Sequence, residues 1–475
     1  MKAPFRMDRR GFLALAGAGA AGLALPSGLA LSSGFAAFAR AAEAPPSELR
    51  IQAARYRLRD AVTENMVSVF PDAPPPVLRM REGVPFSIDV TNALEEASTM
   101  HWHGIRVPNE MDGVPYLTQW PIQQGETWRY SYTPKDAGTY WYHPHCQTME
   151  QMARGLTGII VVAETDDPGF DGETVLNLHD FRIGKDDQFM KLFSARSAAR
   201  GGTLGTVMTA NWEQNPVYEH PAGSLVRLRI AATDTTRIYT LTIDGAEGRI
   251  VAADGHPLRE ELPWPTAEAP ITVAPGQRLD VALRMPDTAG RDVVVTYRTP
   301  MRTQALATLR ATGSNLGRTL DELRPLQPNR LAHFDEASSE IIELVFGWSP
   351  DGLKPNNGFC GSFGYTFWSI DRKPWPGDAA KGTEPVADLK LGRSYVLRLR
   401  NESPNMHPIH LHGLVFRPLR SNKRTLPSNW TDTVVLNRSE TIDIGLVADN
   451  PGDWAFHCHV IEHQKTGLAG FVRVG

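Results

Sequence analysis

Apolar and polar residues alternate along most of this chain from Glu48 onward, in short runs broken by Gly and Pro. Glu48–Tyr56, residues 77–90 and Thr127–Tyr132 alternate as strands do when one face is buried. Gly158–Ala163 is a short apolar run that closes a first β stretch, residues 48–165. Asp166-Asp167-Pro168-Gly169 is a turn-rich linker. Strand-like runs recur over residues 170–312, among them 224–230, 239–243 and 278–283. Residues 313–338 are polar and irregular, a connector or short helix. A third β stretch, residues 339–475, ends in Gly470-Phe471-Val472-Arg473-Val474, which reads as the last strand. The expected fold is all-β, in three consecutive domains.

Composition adds compartment to this picture. Forty-one Gly and thirty-six Pro suit a turn-rich β protein. The net charge of -4, with acids and bases interspersed, gives no sign of nucleic-acid binding. Arg9-Arg10-Gly11-Phe12-Leu13 precedes an uncharged Gly/Ala-rich run to Ala39, with small-x-small cleavage positions near residues 37–41. Residues 1–41 therefore resemble a twin-arginine export signal. The mature chain is expected outside the cytoplasm, in the periplasm or otherwise exported, with no stable membrane partner once the signal is removed. The three cysteines build no disulfide framework. With Cys458 reserved for chemistry, Cys146 and Cys360 are either a pair or two free buried thiols.

The chemistry is concentrated in histidine. Ten of the fourteen histidines fall in four clusters: Met100-His101-Trp102-His103-Gly104, His143-Pro144-His145, Met406-His407-Pro408-Ile409-His410-Leu411-His412-Gly413, and His457-Cys458-His459-Val460-Ile461-Glu462-His463-Gln464. Side chains alternate between the faces of a strand, so parity sorts them. Cys458 points one way and His457 and His459 the other; His410 and His412 share a face and His407 takes the opposite one. His407, Cys458 and His463 thus form one set, the imidazole-and-thiolate donors of a mononuclear blue copper centre. His101, His103, His143, His145, His410, His412, His457 and His459 form the other. Eight imidazoles suit about three copper ions with positions left open for oxygen, and they require the first and third stretches to meet. His179, His220 and His256 of the middle stretch show no pairing pattern and read as surface or core fillers.

In order, HWHG, HPH, HPIHLHG and HCHVIEHQKTGL resemble the four motifs of the three-domain multicopper oxidases of the laccase-like kind, and the resemblance spans nearly the whole mature chain. It implies three cupredoxin-like Greek-key β domains and four copper ions. The type 1 copper would sit on His407, Cys458 and His463, and the type 2 copper on His101 and His410. One type 3 copper would sit on His103, His143 and His459, the other on His145, His412 and His457. It also implies catalysis by electron passage from Cys458 through His457 and His459, four electrons reducing dioxygen to water. Asp112 matches an acid that assists proton delivery in similar enzymes, and an Asp-Gly turn former accounts for it equally. Gln464 stands where some relatives carry an acid, and Glu462, beside His463, either compensates or is solvated. Leu468, in the axial position, cannot donate, and this favours a high type 1 potential. The partners implied are dioxygen and a small-molecule or metal-ion electron donor. Phenol-like or aromatic amine donors are the expectation; cuprous or manganese(II) oxidation and copper sequestration without turnover are the alternatives. The thirteen Met form no methionine-rich insertion; Met149 and Met152 fit packing as well as soft-metal binding. Residues 424–429 are a candidate access loop.

Overall fold

The computed structural model describes residues 46–350, 360, 364–377 and 383–475, so the export signal expected at residues 1–41 lies outside the described residues. Six sheets account for the fold, and each draws its strands from one of the three stretches. Glu48–Tyr56 lies between Thr63–Ser68, antiparallel to it, and Phe86–Asn92, parallel to it. Parallel pairing of strands distant in sequence, with antiparallel neighbours, recurs in the middle stretch, Gly172–Phe181 beside Leu225–Ala232. It recurs again in the third, Glu340–Trp348 beside Ser394–Asn401. These paired sheets are the cupredoxin-like all-β fold expected from the sequence.

The strands form where alternation places them. Thr127–Tyr132 buries Tyr130 and Tyr132 two positions apart, and Glu48–Tyr56 buries Leu49 and Ile51 in the same way before its alternation slips by one at Ala54. Residues 77–90 are not one strand. Leu78–Arg81 and Phe86–Asn92 belong to different sheets, because Val84 N–H donates back to the Arg81 carbonyl (3.1 Å) and turns the chain. The connector carries a single 3-10 turn, Leu320–Glu322.

One apolar cluster runs from Leu49 and Trp102 through Leu344, Ile409 and Cys458 to Val474. The first and third stretches therefore share a core, and the middle stretch packs its own around Leu228, Tyr239 and Val295. His179, His220 and His256 are all buried, so they are core rather than surface residues. Met149 and Met152 pack against Trp141. Cys146 and Cys360 form a disulfide across 214 positions, from the first stretch to the third. Among the described residues no helix is long and apolar enough to cross a membrane.

Candidate metal centres

Two strand pairs carry six of the ten clustered histidines. His101–His103 runs antiparallel to Gly138–His143, with His101 opposite His143. His407–Leu411 runs antiparallel to Gly452–Cys458, with Ile409 opposite Cys458 and His410 opposite His457. The second pairing explains the sorting by parity. Cys458 meets His407 and His463, while His457 faces His412, their Nε2 atoms 3.0 Å apart. His145, His412 and His459 lie just past strand ends, and His463 rides on the short helix Ile461–Lys465.

In the mononuclear set, Cys458 Sγ lies 3.6 Å from His407 Nδ1 and 3.5 Å from His463 Nδ1, and those two nitrogens are 3.1 Å apart. The far nitrogens are committed. His463 Nε2 donates to the Arg200 carbonyl (2.5 Å), and His407 Nε2 bonds Ser403 Oγ (2.8 Å). Both rings therefore present Nδ1 to the sulfur. All three residues are fully buried. Burial brings the His463 imidazole down to about 4 and pushes the Cys458 thiol up.

The eight remaining imidazoles form one buried cluster. His101 stacks on His412 and His103 on His410, each pair with ring centroids 3.8 Å apart. Four rings donate Nδ1–H to a backbone carbonyl: His101 to Asp112 (2.8 Å), His143 to Pro144 (2.9 Å), His410 to Asp432 (2.9 Å) and His457 to Cys458 (3.0 Å). A carbonyl only accepts, so each Nδ1 carries the proton and each Nε2 is left as a lone pair. The Nε2 atoms of His101, His143 and His410, and both nitrogens of His103 and His459, are buried without a hydrogen-bond partner. Buried polar atoms are rarely left so. Burial, with the neighbouring imidazoles, lowers His103, His143, His145, His410, His412 and His459 below the usual histidine value, and His457 falls to about 3. Ring nitrogens of His145, His412 and His457 come within 4.8 Å of one another, as do those of His101, His103 and His143, and of His101, His410 and His412. His459 stands just outside these triads, its ring 4.9 Å from His103 and 5.4 Å from His143.

Residues 50–167 and 360–475 each match a domain described as multicopper oxidase. The fold matches the crystal structure of a multi-copper oxidase from Pseudomonas thermotolerans with a TM-score of 0.79 and 36% identity, over 91% of this chain and 100% of that one. The chain belongs to the multicopper oxidase family. It is also 27% identical to the multicopper oxidase MmcO of Mycobacterium tuberculosis, over 98% of this chain and 96% of that protein. The iron transport multicopper oxidase FET3 of Candida albicans is 27% identical over 83% of this chain and 71% of its own length.

Copper is the metal this family binds, and the donor set fits it. Partnerless neutral imidazole nitrogens face one another in one site, and a thiol faces two Nδ1 atoms in the other. Of the expected proton-handling residues in this multicopper oxidase, Asp112 is inside the site. Asp112 Oδ2 accepts from His412 Nδ1 (2.9 Å), while its Oδ1, 3.3 Å from His101 Nδ1, has no hydrogen-bond partner. The turn reading of Asp112 holds as well. Gly113 has φ +80, and a Cβ there would stand 1.9 Å from the Met100 carbonyl oxygen, so the turn itself presses Asp112 against His101. Glu462 is buried rather than solvated. It accepts from Thr203 N–H and Thr203 Oγ–H (2.6 Å each), and burial raises it to about 7. Neither oxygen bonds a cluster imidazole. Gln464 does, its Nε2 lying 3.4 Å from His145 Nε2.

Two residues of the site were not anticipated from the sequence. Asp432 places Oδ1 3.3 Å from both His103 Nε2 and His410 Nδ1. Arg278, from the middle stretch and fully buried, clamps that carboxylate through 2.8 and 2.6 Å bonds. Burial opposes the charge on Asp432, yet the Arg278 guanidinium holds it well below the usual carboxylate range. The motif Trp430-Thr431-Asp432-Thr433-Val434 is visible in the sequence, but nothing local links it to an arginine 154 positions away.

Proposed function

We propose that this chain is a laccase-type oxidase. It takes single electrons from a small aromatic reductant at a type 1 copper on His407, Cys458 and His463. It delivers them to dioxygen at a type 2 copper and two type 3 coppers held by His101, His103, His143, His145, His410, His412, His457 and His459. When bound, copper supplies the one-electron acceptor and the multi-electron reduction of dioxygen to water. The protein supplies the rest. Backbone carbonyls set the imidazole tautomers, burial excludes water, and Asp112 Oδ1 is the atom placed to hold a proton beside the cluster. The observation that carries the reading is the split at one strand end. Cys458 lies with His407 and His463, while its covalent neighbours His457 and His459 lie among the other imidazoles.

The reading includes division into domains at residues 48–165, 170–312 and 339–475, and export by the twin-arginine route. The Cys146–Cys360 disulfide supports an oxidising compartment. A metal-ion donor is the second reading, favoured by the similarity to the iron transport protein of Candida albicans.

The test is copper analysis, absorption spectroscopy and oxygen uptake with a methoxyphenol on the copper-loaded protein. About four copper ions per chain are expected, with an intense blue thiolate band that Cys458→Ser abolishes. Copper bound with no blue band would make sequestration the function, and oxygen uptake with ferrous, cuprous or manganous salts alone would establish the metal-ion reading.

A further inference from the structure

Beside the mononuclear set lies a cavity of about 490 Å³, a volume suited to a small organic molecule. Its walls include neighbours of the residues that hold the outer nitrogens of both type 1 imidazoles. Gly201 follows Arg200, whose carbonyl takes the proton of His463 Nε2. Asn405 donates its backbone N–H to Ser403 Oγ (3.2 Å), the partner of His407 Nε2. Val460, also in the wall, points its N–H at Cys458 Sγ (3.4 Å). The cavity wall is thus linked to each ligand ring through Arg200 and Ser403.

The charge of the walls selects what enters. Lys423 and Arg438 are the only charged lining residues, and no carboxylate lines the cavity. Both cations are exposed, and among the described residues neither is in an ion pair; Lys423 Nζ donates to the Arg438 carbonyl (2.7 Å). Two acids close by in sequence are spent elsewhere. Glu440 is bonded by Arg424 and Ser421, and Glu462 by Thr203. Ile238, Val460 and Met406 supply apolar surface, with Met406 45% exposed. Residues 424–429, the loop the sequence suggested, contribute no lining residue; the adjacent Lys423 does.

We propose that this cavity is the electron-donor site and that it favours small anionic aromatics, phenols carrying a carboxylate. The ring lies on the apolar wall, and the carboxylate is held by Lys423 and Arg438. The proposal rests on the assignment of His407, Cys458 and His463 as the type 1 centre, and it disfavours metal cations as donors. Each donor molecule loses one electron, accepted at the Cys458 centre, and the proton of its O–H, released to water, leaving a phenoxyl radical. Four such events, with four protons, reduce one dioxygen to two waters.

The test compares 3-(4-hydroxy-3-methoxyphenyl)propanoate with its methyl ester, the same phenol without the charge. On the copper-loaded protein the acid should have a kcat/KM about three- to tenfold above the ester, as expected for contact with two exposed cations. The ratio should fall toward one at high salt and in the Lys423→Met/Arg438→Met double variant. Calorimetric titration of the copper-free protein with 3-(3,4-dimethoxyphenyl)propanoate, which has no phenolic hydrogen, should show binding that the double variant weakens several-fold. Equal values for acid and ester in the wild type, or equal affinity in the variant, would overturn the proposal. Failure of the oxidase reading would look different: no blue band and no oxygen uptake with either donor, while the calorimetric arm still reports the anion site.

Discussion

At the scale of single residues, this site works by deciding which nitrogen of each imidazole is free. In the mononuclear set the protein holds Nε2 and leaves Nδ1 toward the sulfur; in four rings of the cluster a carbonyl holds Nδ1 and leaves Nε2. The placement of Leu468 is set equally locally. Cys458 N–H donates to the Leu468 carbonyl (3.0 Å), continuing the register in which His457 opposes Ala469. Directly opposed residues of an antiparallel pair project to the same face, so the buried Leu468 side chain shares the face of the Cys458 side chain. A leucine there has no donor atom. Leu468→Met should lower the type 1 reduction potential, read by redox titration of the blue absorption. A potential that is unchanged or raised would show that position 468 does not face the metal.

At the scale of elements, the helix Ile461–Lys465 spans only five residues and has no side-chain N-cap bond. It is held by what its side chains reach. Glu462 takes Thr203 of the middle stretch, His463 takes Arg200 and Cys458, and Gln464 takes His145. Thr203→Val, close in shape but lacking the hydroxyl, leaves one buried Glu462 oxygen short of a donor and should cost about 1–3 kcal/mol in urea denaturation of the copper-free protein. No measurable cost would mean that Glu462 does not anchor the helix. This element was not legible in the sequence. Five residues are shorter than the window in which a 3.6-residue period shows, and only the return of His463 toward Cys458 could be read. Strands with one buried face, such as Glu48–Tyr56, were legible because burial imposes a two-residue period. The split at residues 82–85 was not, because alternation continues through the turn. The separation of His407 and Cys458 from His410 and His457 was legible for the same reason as the strands, since parity on a strand decides which face a side chain occupies. The disulfide and the Arg278–Asp432 clamp were not, since contacts across 214 and 154 positions leave no periodic trace.

At the scale of the whole molecule, the middle stretch supplies none of the clustered histidines and yet closes the site. Arg278 Nε donates to the Thr139 carbonyl of the first stretch (3.2 Å), its backbone N–H to Asp254 of its own (2.7 Å), and its two terminal nitrogens to Asp432 of the third. One guanidinium thus ties together all three, and the carboxylate it clamps is the one that touches His103 and His410. Removing one partner of a buried ion pair leaves the other charge uncompensated. Arg278→Met should therefore destabilise the chain by about 3–5 kcal/mol. The loss should also be uneven between the metal sites. His407, Cys458 and His463 have no hydrogen bond or ion pair to Arg278 or Asp432 among the described residues, whereas the Asp432 carboxylate beside His103 and His410 loses the guanidinium that holds it in place. Copper analysis of the variant should give fewer ions per chain with the blue absorption of the mononuclear site retained. A full copper complement at wild-type stability would show that the clamp is dispensable, and loss of the blue band together with the other coppers would show that the two sites fold and load as one.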